Sequence, residues 1–319
     1  EISACLVGSE MCIRDRYIGG WIMLAIKQVF VIAGQNFAMW KRSPRVWLTF
    51  IIGFVMCLML SDNVISYAQR YETILQILEP FIWIYGDATS IMLSSLLLIL
   101  LFADMPFIDQ ITPYKIIRVN RKIWISAQIV YVIGATLIYN VFLFCIMAFI
   151  TAPFAFVGNV WSETAALLGY GGSAGFSIPV SIKTMESSMP YECAGMVFLL
   201  MLLYSLFIAT LMLWLNLTFK GAVGVIGAFA VNIYGFLLNP EILKKIFHFS
   251  ENLEYKANVL CGWLSPINHA TFSMHNFGYD YLPQIKVSII IFLICIIGFT
   301  LISLIKMKTY DFSFVQREG

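Results

Sequence analysis

Apolar residues in this chain come in long, nearly unbroken runs separated by short polar connections. A helix needs about 20 apolar residues to cross a hydrocarbon layer, so runs of this kind predict membrane-spanning helices. Six are legible, at 46–65, 80–103, 123–150, 193–219, 221–238 and 285–305. The first and fifth are short. The fifth follows the fourth across Lys220 and Gly221, which requires a tight helical hairpin.

The segments between the runs differ in character. Leu24 to Trp40 is apolar but interrupted by Lys27, Gln28, Gln35 and Asn36 and closed by Lys41 and Arg42. Lys27, Gln35 and Arg42 recur at close to two-turn spacing, which predicts a helix lying in the membrane interface with its polar stripe toward water. Ser61 to Glu79 is expected to continue helically from the first run. Thr151 to Glu192 contains a glycine-rich run at 169–175. Asn239 to Pro283 joins a basic amphipathic piece (Pro240 to Phe249) to an apolar patch (Val259 to Leu264) too short to cross, a pattern expected of re-entrant or interfacial helices before the last span.

With 60% hydrophobic and 12% charged residues, the 319-residue chain has more apolar surface than a soluble core of this size hides. The fold class is therefore an all-α, polytopic membrane protein with six transmembrane helices. Residues 23–308 are expected to form one transmembrane domain and 309–319 a tail. Residues 1–22 (EISACLVGSEMCIRDR and the stretch to Ile22) resemble a translated cloning or sequencing artefact, and Met23 is the expected natural start. The net charge of +2 is uninformative until it is divided by side. Leaving out residues 1–22, twelve Lys and Arg fall before the first run, between the second and third, between the fourth and fifth, and after the sixth, against six in the other connections. The positive-inside bias therefore predicts that both termini are cytoplasmic.

Nucleotide, nucleophile-elbow and zinc signatures are all missing, so no catalytic, cofactor-binding or metal site is expected in this chain. His248, His269 and His275 all fall in the last outer connection and read as polar loop residues. Cys193 and Cys261 are the cysteines that could meet outside the apolar runs, but no regular disulfide framework is present.

Asp87 is the acidic residue placed inside a predicted span, and with Ser90 and Ser94 it makes a polar stripe at i, i+3 and i+7. Such a carboxylate suggests either a structural role near the outer end of the span or proton coupling. Asn140, Asn216 and Asn232 fall one on each of the third, fourth and fifth runs, where interhelical hydrogen bonds of about 1 kcal/mol explain them. Gly221, Gly224, Gly227 and Ala228 give the fifth run a small-residue face, suited to an intrachain or a dimer contact.

The charged island Asp104 to Lys122 (DMPFIDQITPYKIIRVNRK) lies between the second and third runs. The order of parts, together with the phrases FADMPFIDQITPYKIIRVNRKIW and WLSPINHATF, resembles the permease subunit of a type-2 ATP-binding-cassette transporter of Gram-positive bacteria. The long second outer connection departs from that family's compact pattern. The resemblance implies an exporter of the bacterial cell membrane that is not itself an enzyme. A separate cytoplasmic ATPase would supply ATP and Mg, a second permease copy or related permease would complete the path, and membrane lipids but no nucleic acid would be bound. It also implies a coupling element. Pro106, Phe107, Ile108, Ile111 and Tyr114 would dock on the ATPase, and Lys115, Arg118 and Arg121, with Lys122, would anchor to anionic lipid headgroups. Two other readings stand beside it: a proton-coupled secondary transporter using Asp87, and a non-transporting membrane sensor or immunity component. The first is weakened by the lack of inverted repeats, of broken spans at matching positions and of further buried charges.

Overall fold

The computed structural model describes residues 23–106, 119–171, 176, 178–219, 222–248, 254–278, 280–308 and 310. Its helices are α1 (23–38), α2 (Pro44–Arg70), α3 (Glu79–Tyr85), α4 (Ala88–Leu101), α5 (Arg121–Thr151) and α6 (Glu163–Gly171), then α7 (Ile182–Ser187), α8 (Pro190–Thr218), α9 (Val223–Leu237), α10 (Pro240–Ile246), α11 (Glu254–Leu264) and α12 (Ile285–Lys306). Local chemistry sets several of the starts. Proline stands in the first turn of α2, α3, α8 and α10, where its missing N–H costs nothing. Asp87, Asn120 and Asn239 cap α4, α5 and α10 by accepting from Thr89, Lys122 and Ile242 main-chain N–H groups.

Four helices, α2, α5, α8 and α12, are long and apolar enough to cross a membrane. Their ends fall within a few residues of the expected ones; α2 continues past the first run as expected of Ser61 to Glu79, but stops at Arg70, before a turn and β1. The second run differs from the expectation of an unbroken span, whereas α9 fills the fifth run unbroken and the bend after it falls at Pro240, the expected start of the amphipathic piece. Helices α3 and α4 meet at a bend of 84°, and α9 and α10 at one of 81°. At the first break the Gly86 N–H closes the last turn of α3 on Ile82 O at 2.8 Å, and Asp87 then starts a new helix instead of extending the old one. At the second, Leu238 and Asn239 leave the helical region and Pro240 opens the next helix. Counting each bent pair as one span gives six, so the described residues hold four to six candidate spans, the pattern of a multi-pass membrane protein.

Helix α8 is the centre of the bundle and touches α3, α4, α5, α9 and α12. The outward faces of α2 from Trp47 to Met59 (with Ile51 and Val55) and of α12 from Ile290 to Ile305 (with Ile294, Ile297 and Leu301) carry exposed apolar side chains. Surfaces of that extent belong in hydrocarbon. Among the described residues, the expected all-α class is departed from in one place, where β1 (Leu75–Gln76) pairs in parallel with β2 (Ala155–Phe156) and joins the connections after α2 and α5. Helices α10 and α11 pack on each other through Leu243, Ala257 and Cys261. Cys193 lies in the main core and Cys261 in this smaller cluster, and both are free thiols.

Candidate functional site

Among the described residues, the edges of the charged island are fixed from several directions by the starts and ends of neighbouring helices. Arg45, in the first turn of α2, pairs with Asp104 just after α4. Both side chains are about half exposed, so this contact adds little stability and serves mainly as a tether. The next residue, Met105, is held from inside: Asn216 Nδ2 on α8 donates to Met105 O at 2.5 Å, while Asn216 Oδ1 accepts the Gly224 N–H at 2.7 Å. One buried amide thus joins the exit of α4 to the α8–α9 hairpin. Pro106 is buried at the same place.

On the far edge of the island, Arg121 donates to the main-chain oxygens of Lys308 and Tyr310 at 3.2 and 3.3 Å, linking the start of α5 to the end of α12. Helix α1 is fastened to the same end of α5. Asn36 donates to Gln128 at 3.3 Å, Trp40 Nε1 donates to Tyr131 OH at 2.8 Å, and the Phe37 ring packs on Tyr131. Lys27, Gln35 and Arg42 are exposed, as are the apolar Leu24, Ile26, Phe30 and Val31, and Ile32, Ala33 and Asn36 form the buried side. Of the coupling candidates, Phe107, Ile108, Ile111, Tyr114, Lys115 and Arg118 lie outside the described residues; Pro106 and Arg121 are the two whose placement is given.

The polar residues expected inside the spans divide by role. Asn232 on α9 accepts from Ser95 on α4 at 2.7 Å and from Tyr204 on α8 at 3.0 Å, a node between three helices. Asn140 donates to Thr136 O of its own helix at 2.8 Å, and its oxygen faces the Ser205 hydroxyl of α8 at 3.4 Å. Ser90 and Ser94 are buried, and the main-chain oxygen of Ser94 accepts from Tyr139 OH at 2.8 Å. Asp87 sits apart from them as a half-buried helix cap. The partner of Asn232 is thus Ser95, one position beyond the stripe read from the sequence. The small-residue face of α9 is an intrachain contact: a Cβ on Gly224 would lie 2.6 Å from Met212 O, and one on Gly227 would strike Leu215, both on α8.

The opposite end holds what the sequence reading missed. Glu79 is completely buried, and its carboxylate accepts from Ser162 N at 2.7 Å, Ser162 Oγ at 2.6 Å and Gln76 N at 3.1 Å. Gln76 in turn donates to Gly158 O at 3.0 Å. The available signal was the Glu79-Pro80 pair, an acid and a proline in a helix's first turn. Lys183 of α7 pairs with Asp280 before α12 and lies 5.4 Å from the Phe277 ring. His269 and His275 are also buried here, around Ser288.

No protein-family model matches this chain, and none of the curated proteins matches it.

Proposed function

We propose that this chain is the membrane-spanning permease subunit of an ATP-driven transporter, an exporter energised by a separate cytoplasmic ATPase. The observation that carries this reading is the anchoring of the island. Its two edges are bonded to α2 through Arg45, to the α8–α9 hairpin through Asn216, and to the end of α12 through Arg121. A displacement imposed at these two edges would reach α2, α8, α9 and α12 together, which is what a coupling element has to do.

Six crossings are supported by where the short helices begin and end. Helix α4 leaves the break beside buried α3 and ends next to Asp104 and Met105 at the basic end. Helix α9 starts there, at Gly224, and finishes where Ser265 Oγ donates to Gly235 O at 2.8 Å, near the outer connection. With the basic end in the cytoplasm, both termini lie there too.

The test is photo-crosslinking from position 111 or 114 in the intact membrane, followed by reconstitution of the purified complex in proteoliposomes. The expected product is a conjugate with a chain carrying a nucleotide-binding P-loop, and ATP hydrolysis that rises when both chains are present. Failure to find such a conjugate, with transport that persists without ATP, sinks the proposal.

A proton-driven carrier is the second reading, favoured by the break inside the second run. Asp87 lies at the first break, so Asp87→Asn abolishing transport while ATPase loss does not would put this reading first.

A further inference from the structure

Ser288, in the first turn of α12, lies between two imidazoles: His269 Nδ1 is 2.8 Å from its Oγ and His275 Nε2 is 2.9 Å from it. The far nitrogen of each ring faces a main-chain carbonyl, His269 Nε2 at 3.0 Å from Trp263 O and His275 Nδ1 at 3.2 Å from Phe272 O. A carbonyl oxygen only accepts, so both far nitrogens carry the ring's proton in the neutral forms. Both near nitrogens are then acceptors. The Ser288 hydroxyl has a single hydrogen and can satisfy one of them. Four contacts run from Trp263 O to Phe272 O, and the neutral groups supply three hydrogens. His275 and Ser288 are completely buried and His269 is 5% exposed, so bulk water is kept from the remaining nitrogen.

We infer that His269, Ser288 and His275 form a binding site for one proton, which completes the hydrogen-bond chain from α11 through α12 to the 3-10 turn Phe272–Met274. With the proton bound at either near nitrogen, that imidazolium donates to Ser288 Oγ, Ser288 donates to the other ring, and all four contacts hold one hydrogen each. A second proton would leave the hydroxyl hydrogen without an acceptor and place two cations either side of one oxygen, so the capacity is one.

The surroundings balance this proton. Lys183 of α7 is the nearby cation that disfavours it, and Asp280, paired with Lys183, offsets that charge. Lys286, on the same turn as Ser288, is exposed, and α11 and α12 otherwise present Trp263 and Phe292 to the His269 ring. Burial pushes both imidazoles below their ordinary value, while the unfilled contact draws a proton in. The two rings therefore titrate as one unit. The proton count is independent of the transporter reading. That the site meets external pH rests on the sidedness proposed above.

The chain has three histidines, so nitrogen NMR of the detergent-solubilised protein with labelled histidine resolves them all, with exposed His248 as reference. Above neutral pH the expected tautomers are Nε2–H on His269 and Nδ1–H on His275. On acidification the pair takes up one proton before any second. Ser288→Ala removes the bridge and lowers the first pKa of the pair by at least one unit. His275→Gln turns an amide N–H toward Ser288, supplies the missing hydrogen covalently and leaves His269 neutral over the same range. A neutral ring carrying its proton on the Ser288-facing nitrogen in the unaltered protein overturns the inference, as does titration of the two rings unaffected by Ser288→Ala. These readouts involve no ATPase, so they fail or succeed independently of the proposed function.

Discussion

Glu79 takes both the main-chain N–H and the hydroxyl of Ser162, a residue 83 positions later, at 2.7 and 2.6 Å. Its second oxygen also receives Gln76 N, so a buried carboxylate with three donors knits the connections after α2 and α5 into one unit. The same neighbourhood holds the β1–β2 pair and the 2.7 Å contact between the Thr73 and Thr164 hydroxyls. Glu79→Ala strips the acceptor from these donors, and each orphaned buried group costs about 1–3 kcal/mol. Thermal unfolding of the purified protein in detergent is expected to show a large drop for Glu79→Ala. A drop no larger than for substitution of an exposed residue such as Glu72 would show that the node is not structural.

Asn232 binds Ser95 and Tyr204 from two other helices, so its loss is felt by α4, α8 and α9 together. Asn232→Leu leaves both hydroxyls unpaired inside the bundle, and about 1–2 kcal/mol of stability is expected to go, the range for hydrogen bonds between membrane helices. Tyr204→Phe removes one donor and is expected to cost less. The comparison is made on unfolding midpoints in one detergent.

Gly224 and Gly298 separate close packing from mere helix composition. A methyl group on Gly224 would lie 2.6 Å from the main-chain oxygen of Met212, which cannot move aside as a side chain can, whereas nothing lies within 4 Å of one on Gly298. Gly224→Ala is expected to destabilise by about 1–3 kcal/mol. Gly298→Ala should be neutral or slightly stabilising, because alanine is the better helix former by about 1 kcal/mol. Equal effects of the two substitutions would rule out the α8–α9 contact as the cause.

Burial holds His269 below its ordinary value of 6.5 and His275 at about 4. Unfolding exposes both rings to water, where they take protons near 6.5, so below that pH the unfolded chain binds more protons than the folded one. Stability is therefore fully present above about 6.5 and is lost as pH falls toward 4, at ~1.4 kcal/mol per pH unit for each proton of difference. Melting temperatures measured from pH 7.5 to 4.5 should fall in the unaltered protein. The fall should be shallower in the doubly substituted His269→Gln, His275→Gln protein, and an unchanged slope would exclude these rings as its origin.

The apolar runs by themselves determined that the chain enters a membrane, where its long helices lie and which connections carry the basic residues, because hydrophobic length and charge bias are properties of local sequence. They also marked Asn216 and Asn232 as bonding groups, since an amide in hydrocarbon has to find a partner. Which partner it finds depends on which helices become neighbours: Asn216 holds Met105 O and Gly224 N, and Asn232 chose Ser95 over the adjacent Ser94. Composition also concealed the break at Gly86, because apolar residues continue on both sides of it, whereas the bend at Asn239 falls where the fifth run was expected to end. The partners of Glu79, beyond the helix start that Glu79-Pro80 signals, and the His269–Ser288–His275 chain were invisible for another reason. Their sequence neighbours are those of ordinary loops, and only the folding of distant connections onto one another withdraws them from water and fixes how many protons they share.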